Sequence, residues 1–357
     1  MTQKKRDKKQ HTRIAPRLMN VDLGDLDMLD NTEYDHDRKS SHRSMDHGTK
    51  SFKNALILEK GRIVEVKSNN TCIVKLNDRK VSCSLSGRLK QFRFETRVLA
   101  AVGDWVQVDI GNAEHPRIEE ILERKNRLSR YSEGSFQTEI ILASNIDQII
   151  ITTSAKMPIL KPGLIDRYLC IAQLQNLDAV ICVNKMDLAE HAPEIHHVCS
   201  YYERCGLPVI YASTVTGEGI EDLKHYLKDK DSIFTGQSGV GKSTLINAIQ
   251  PSLALKIGEI SSFNEKGKHT TTQAIMLDWD FGGHLVDTPG LKTVNLHRED
   301  KPRIPEVFPG FEELRLKCKF PDCTHLHEDG CAIQSAVEFG EIPYDRYESY
   351  QRIYESL

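Results

Sequence analysis

Four residues, Asn184-Lys185-Met186-Asp187, have the types and spacing of a loop that reads guanine. The Asp187 carboxylate can accept from both the N1–H and the N2 amino group of that base. Adenine offers no such donor pair, and a carboxylate left unpaired against it is costly, so the pattern rejects ATP. Ser213 and Thr214, in "YASTVTGEG", stand where a loop backing the guanine O6 belongs. A base reader needs a phosphate-binding partner. The run Gly236-Gln237-Ser238-Gly239-Val240-Gly241-Lys242-Ser243-Thr244 has P-loop spacing. Its glycines let backbone N–H groups turn around a phosphate chain, and the following helix points its positive end at the same anion. Lys242 is positioned to reach the β and γ phosphates, and the Ser243 hydroxyl to hold magnesium. In "HLVDTPG", Asp287 ends an apolar strand and can hold Mg²⁺ directly or through water, while the Gly290 N–H can sense the γ phosphate.

These signals run in an unusual order: base reader, O6 loop, P-loop, then "DTPG". Four such motifs in one α/β unit imply a domain that has been cut and rejoined, which is feasible where chain ends lie close together. The new cut falls between "DTPG" and the strand before "NKMD", so the chain beyond "DTPG" is a further segment. There Cys318, Cys323, His325 and Cys331 supply four tetrahedral ligands within fourteen residues. With all four positions filled, the expected occupant is one structural Zn²⁺; His327 is the rival ligand. The other cysteines lie in apolar or helical contexts and read as ordinary small residues.

The elements that must position these groups are legible in outline. From 53 to 122, "GRIVEVK", "TCIVKLN", "RKVSCSL" and "GDWVQVDI" alternate apolar and polar residues between turn signals. They predict a small all-β barrel of OB type, a common nucleic-acid binder, with a basic stripe at Arg88, Lys90, Arg93 and Arg97. From 123 to 295, "NIDQIIITT", "DAVICVNKMDL", "LPVIYAS" and "SIFTG" read as buried strands alternating with helical "GLIDRYLCIAQLQN" and "GIEDLKHYLKDK". That pattern predicts a parallel sheet covered on both faces, with ligands at the carboxyl ends of its strands. Residues 296–357 predict a small α-helical zinc domain, its core separate from that of the nucleotide-binding segment. Its tail interleaves Tyr344, Tyr347, Tyr350 and Tyr354 with Arg346 and Arg352, for packing rather than base stacking.

The chain has 357 residues, 28% of them charged, and a net charge of -3 that conceals an uneven distribution. Lys4, Lys5, Arg6, Lys8, Lys9, Arg13 and Arg17 crowd one end, and seven acids with no base follow over 22–37. Residues 1–52 therefore read as a disordered charged tail. The sequence lacks an apolar run long enough for a membrane span and an apolar signal core. The expectations are a cytoplasmic protein with no membrane partner, free thiols or metal ligands rather than disulfides, and a monomer.

Taken together, "NIDQ", "DRYL", "NKMD", "GQSGVGKSTLIN", "GKHTTT", "DTPG" and the Cys318–Cys331 cluster resemble the circularly permuted, small-ribosomal-subunit-dependent GTPases (RsgA, also called YjeQ). The likeness covers about residues 55–357. It implies a GTP hydrolase that binds GTP/GDP with Mg²⁺, acts late in maturation of the small (30S) subunit, contacts 16S rRNA and is stimulated by the subunit. It also implies that "GKHTTT" holds the switch threonine among Thr270, Thr271 and Thr272, with Thr271 favoured for the Mg²⁺ shell. Leu291 stands where ordinary GTPases place a water-orienting glutamine, so the intrinsic rate should be low. His269, polar and beside the threonines, is the candidate catalytic group or a mere packing residue. A nucleotide-gated RNA-binding module is the alternative function. The stiff stretch 301–305 ("KPRIP") is expected to carry the nucleotide state from Gly290 into the zinc segment.

Overall fold

The computed structural model describes residues 56–67, 71–91, 100–131, 139–253, 274–288 and 294–357. The charged tail of residues 1–52, Arg93, Arg97, His269, Thr271 and Gly290 lie outside the described residues. Residues 55–357 form one compact unit.

Five strands close a barrel: β1 (Leu58–Val66), β2 (Thr71–Leu76), β3 (Arg79–Leu85), β4 (Trp105–Asp109) and β5 (Arg117–Ile121), with a short helix α1 (Gly87–Gln91) after β3. The order is β1-β2-β3-β5-β4, with β4 returning to pair with β1. Alternation drives the closure: Ile63, Val74, Leu76, Val106, Val108 and Ile118 turn inward and are fully buried. Gly61 is required here, because a Cβ would sit 2.5 Å from the Leu76 and Val74 side chains.

A hairpin of β6 (Arg127–Tyr131) and β7 (Glu139–Ser144) leads into the α/β layer. Its strands are β8 (Gln148–Ser154), β9 (Asp178–Asn184), β10 (Val209–Tyr211), β11 (Lys230–Thr235), β12 (Ala274–Asp278) and β13 (Gly283–Asp287). Their order is β10-β9-β8-β11-β13-β12, parallel except for β12. Helices α2 (Pro162–Leu174) and α3 (Ala192–Arg204) share a core with Ile149, Ile151, Ile181 and Val183. Helices α4 (Ile220–Leu227) and α5 (Lys242–Ile249) share another with Ile150, Val180 and Cys182. Successive side chains of one strand thus enter opposite layers, which is why these strands read as continuous apolar runs.

The barrel is not a separate sheet. Where β4 leaves the edge of β1, β12 takes it, pairing Glu65 with Ile275 and Val66 with Ala274. The barrel and the α/β layer are therefore one continuous eleven-stranded sheet among the described residues.

The last segment carries the short helix α6 (Ile304–Val307), α7 (Ala332–Glu338) and α8 (Tyr344–Glu355). The expectation of a separate core is corrected here. Ile304, Phe308, Phe311, Tyr347 and Tyr350 belong to the same apolar cluster as Ile165, Leu169 and Tyr202 of α2 and α3. Within it the Arg346 guanidinium of α8 lies 2.5 Å from the Asp166 carboxylate of α2, and the Tyr202 hydroxyl donates to the same carboxylate at 2.8 Å. Burial pushes the Asp166 carboxyl up to about 6, against the pull of Arg346. Tyr347 and Tyr350 are buried and donate to the carbonyls of His325 and Thr324, so these two tyrosines pack; Tyr344 is exposed.

Candidate nucleotide site and metal centre

The segments 184–187 and 236–244 meet at the carboxyl ends of β8, β9 and β11. Gly236 follows β11 with φ +131, and a Cβ there would fall 1.9 Å from the Thr152 carbonyl oxygen of β8. Gly239 and Gly241 also have positive φ. These backbone shapes are cheap only for glycine. Helix α5 starts at Lys242, directly after Gly241. The Lys242 ammonium donates to the Gly236 and Gln237 carbonyls at 2.8 and 2.9 Å, so it lies across the loop mouth. Gln237 is half-buried, Ser238 is exposed and Val240 is buried beneath the loop. Ser243 and Thr244 are exposed at the first turn of the helix.

Asn184, the last residue of β9, is buried and donates its side-chain amide to the Val240 carbonyl at 2.9 Å. Lys185 adopts a left-handed backbone, φ +61, which turns the chain out of the sheet. Its ammonium reaches the carbonyls of Gly239 at 2.6 Å and Met157 at 2.5 Å. The role of Met157, in the loop after β8, gave no sign in the sequence. Met186 contributes through its backbone: its N–H donates to the Ala212 carbonyl, which ties the reader to the end of β10. The Asp187 carboxylate is exposed and accepts from the Ser213 hydroxyl at 2.6 Å. Ser213 is fully buried and its oxygen accepts from the N–H groups of Val215 and Thr216, so its hydroxyl is held toward Asp187. Thr214 is half-buried beside it.

Asp287 ends β13, and among the described residues its carboxylate has no hydrogen-bond or ion-pair partner. Burial pushes its carboxyl above the usual range. A half-buried, unneutralised carboxylate at a strand end is a group that wants a cation. Three buried oxygens nearby in the sequence motifs also lack partners: Thr152 Oγ1, Asn184 Oδ1 and Thr288 Oγ1. The unpartnered Asp287 carboxylate fits a divalent ion, and the glycine-rich loop ahead of α5 fits a phosphate chain.

The second site lies in the last segment. The ligand atoms of Cys318, Cys323, His325 and Cys331 all lie within 4.8 Å of one another. His325 Nδ1 is 3.6 Å from the Cys318 sulfur and 3.4 Å from the Cys331 sulfur, so it is the ring nitrogen that faces the thiols. Glu328 folds the loop by accepting from the Thr324, Leu326 and His327 backbone N–H groups. The rival ligand His327 is exposed and outside the cluster. Burial pushes the Cys323 thiol up to about 12, so thiolates gathered here require a cation. Three sulfurs and one imidazole nitrogen at this separation suit a tetrahedral ion.

Among the described residues, no helix is long and apolar enough to cross a membrane.

Comparison with known proteins agrees with this geometry. Residues 121–297 match the family model described as RsgA GTPase. The "Small ribosomal subunit biogenesis GTPase RsgA" of Caldanaerobacter subterraneus subsp. tengcongensis is 37% identical over 270 residues, covering 76% of this chain and 86% of the relative. The protein of that name from Bacteroides fragilis is 36% identical over 304 residues, covering 84% and 95%. Among solved structures, YjeQ from Thermotoga maritima superposes with a TM-score of 0.69 at 32% identity, covering 84% of this chain and 99% of that one. YloQ, described as a circularly permuted GTPase, gives 0.63 at 26% identity, covering 84% and 94%. With the base reader before the phosphate loop and the two joined by hydrogen bonds, this chain belongs to the RsgA family of GTPases.

Proposed function

We infer that this protein hydrolyses GTP to GDP in the biogenesis of the small ribosomal subunit. The observation that carries the reading is the direct bonding of Asn184 and Lys185 to the phosphate loop at Val240 and Gly239. It makes one nucleotide site of two motifs that stand in permuted order. The relatives share the printed role in small-subunit biogenesis over most of their length.

In this reading Asp187, held by Ser213, takes the N1–H and N2 amino group of guanine, and Ser213 and Thr214 back its O6. The N–H groups of Gly236 to Thr244 cradle the phosphates, with Lys242 leaving its loop carbonyls for the β and γ oxygens. Ser243 and Asp287 hold Mg²⁺, which when bound neutralises charge on the phosphates. Gly290 senses the γ phosphate, and Thr271 and His269 remain the proposed switch and catalytic groups. Leu291 supplies no water-orienting group, so the small subunit is the proposed source of stimulation.

The finer assignments rest on the same logic. The order β1-β2-β3-β5-β4, closed on β1 and with β3 parallel to β5, supports an OB-type barrel; 16S rRNA is its proposed partner. Cys318, Cys323, His325 and Cys331 hold one structural Zn²⁺. The proposed layout is a tail over 1–52, barrel over 53–122, permuted GTPase over 123–295 and zinc-binding segment over 296–357. The protein acts as a cytoplasmic monomer on the subunit and has no membrane partner.

Turnover of GTP and ATP, with and without purified 30S particles, tests the reading. GTP-specific hydrolysis that rises strongly with subunits is the expected result. GTP binding with no stimulated turnover would instead favour a nucleotide-gated RNA-binding module.

A further inference from the structure

Strand β1 belongs to the barrel, yet it is two strands from the carboxylate that ends β13. The register runs Glu65 to Ile275 across β1 and β12, then Ile275 to Asp287 across β12 and β13. At the other end of the same strands a polar chain repeats the connection. The Arg62 guanidinium of β1 lies 2.5 Å from the Asp231 carboxylate of β11. It also donates to the Asn145 and Gly103 carbonyls at 2.9 and 3.3 Å. His284 of β13 presents one ring nitrogen to Asp231 at 2.6 Å and the other to Asp278 of β12 at 3.2 Å. Lys75 and Lys80 of the barrel approach Asp278 at 3.1 and 3.7 Å. Burial opposes the charge on Asp231, but His284 and Arg62 outweigh it and hold the carboxyl below its usual range.

We propose that β1 is a positioning element of the magnesium site: its pairing with β12, and Arg62 through Asp231 and His284, fix the strand pair that presents Asp287. Two attachments at opposite ends of β12 and β13 prevent both sliding and tilting. One attachment would leave a pivot. A ligand carboxylate must be held to a fraction of an ångström, and outer partners that orient it commonly set affinity. Strand β12 would otherwise be the edge of the α/β layer, held by β13 on one side only. The barrel supplies that missing neighbour. Arg62 and Ala274 are thus positioning residues, acting on the ion only through Asp287.

This proposal rests on the reading of Asp287 as a magnesium ligand, and the test separates the two. Mn²⁺ binding to the GDP complex is measured by electron paramagnetic resonance in wild type and in Asp287→Asn, Arg62→Ala and Ala274→Pro. Ala274 pairs with β1 but stands outside the β12–β13 register, so its substitution spares β13. GDP affinity in EDTA and hydrogen exchange over 275–278 are read alongside. Arg62→Ala and Ala274→Pro should each weaken Mn²⁺ on the order of tenfold. Exchange in β12 should rise while metal-free GDP affinity stays unchanged. Arg62→Lys should recover part of the loss, since an ammonium can still meet Asp231. Wild-type Mn²⁺ affinity in Arg62→Ala and Ala274→Pro, with Asp287→Asn defective, would overturn the positioning role and spare the ligand assignment. Wild-type Mn²⁺ affinity in Asp287→Asn would overturn both.

Discussion

Removing Arg346 tests whether the last segment and the GTPase share one cooperative core. Arg346 is 4% exposed and its guanidinium pairs with Asp166, which is fully buried. It also donates to the Tyr202 hydroxyl at 2.9 Å. Arg346→Ala leaves a buried anion with only hydroxyl partners, at a cost of about 3–5 kcal/mol. For a cooperative unit of this size that lowers the unfolding midpoint by roughly 5–8 °C. The cost should depend on pH, with a definite sign. An acid whose folded-state value is raised binds its proton more tightly when folded. The charge on Asp166 therefore opposes folding increasingly as pH rises from its ordinary 3.8 to about 6, and steadily above that. Without Arg346 the carboxyl rises further, so acid should relieve the variant more than the wild type. At pH 5 the remaining difference should be about 1–2 kcal/mol, the worth of the lost hydrogen bonds and packing. Urea unfolding of both proteins at pH 7.5 and pH 5, followed by tryptophan fluorescence and far-ultraviolet dichroism, measures this. An equal cost at both pH values would refute the uncompensated-charge argument. A transition that splits in two in the wild type would refute the shared core.

Three more substitutions probe the sites. Ser213→Ala should weaken GDP roughly tenfold, because Asp187 loses the hydroxyl that aims it, and calorimetric titration would show this; an unchanged affinity would remove Ser213 from the base reader. Gly236→Ala should abolish nucleotide binding, since its methyl would fall 1.9 Å from the Thr152 carbonyl oxygen; a fluorescent GDP analogue binding normally would contradict the observed loop. Cys323→Ser should release close to one zinc per chain by metal analysis and also lower the stability of the GTPase segment; loosening confined to 296–357 would restore the separate core that the sequence suggested.

The chemistry was legible where it is local. The segments 184–187 and 236–244 and the Cys/His cluster are each short stretches whose backbone places its own groups, so spacing alone singled them out, and the structure brings the first two together. The barrel strands β1 to β4 and the buried strands β8, β9 and β11 were legible because alternation and apolar runs report burial directly. Strands β5 and β6 were not, since "RIEEI" and "RLSRY" are short and charge-rich. Helix α3 was also missed, because "APEIHHVCSYYER" buries only Cys199, Tyr201 and Tyr202. What no local pattern contains is partnership. Glu65 and Ile275 are an ordinary acid and an ordinary apolar residue until the sheet brings them together. Arg62, Asp231 and His284 are anonymous in the same way, and so was the shared core around Tyr202 and Tyr350.

That shared core also changes how a nucleotide signal can travel. From the sequence, 301–305 would pass loss of the γ phosphate into the last segment and change its position or mobility relative to the barrel. In the structure Ile304 and Phe308 are fully buried in the core, and α8 is bound to α2 through Asp166 and Arg346. Helix α2 comes after the loop whose Met157 carbonyl binds Lys185 beside the phosphate loop. Moving α8 relative to α2 would break a buried ion pair costing about 3–5 kcal/mol. Coupling between sites is typically about 1–3 kcal/mol, too little to open that contact. The last segment should therefore stay fixed on α2 in both nucleotide states, and nucleotide-dependent affinity for the subunit should arise from local change beside Asp287. Hydrogen exchange over 344–355 in the GDP and GTP-analogue complexes should agree within about twofold, since the opening free energy is unaltered. A difference of tenfold or more along that helix would show that the contact does open, and would return 301–305 to the role the sequence suggested.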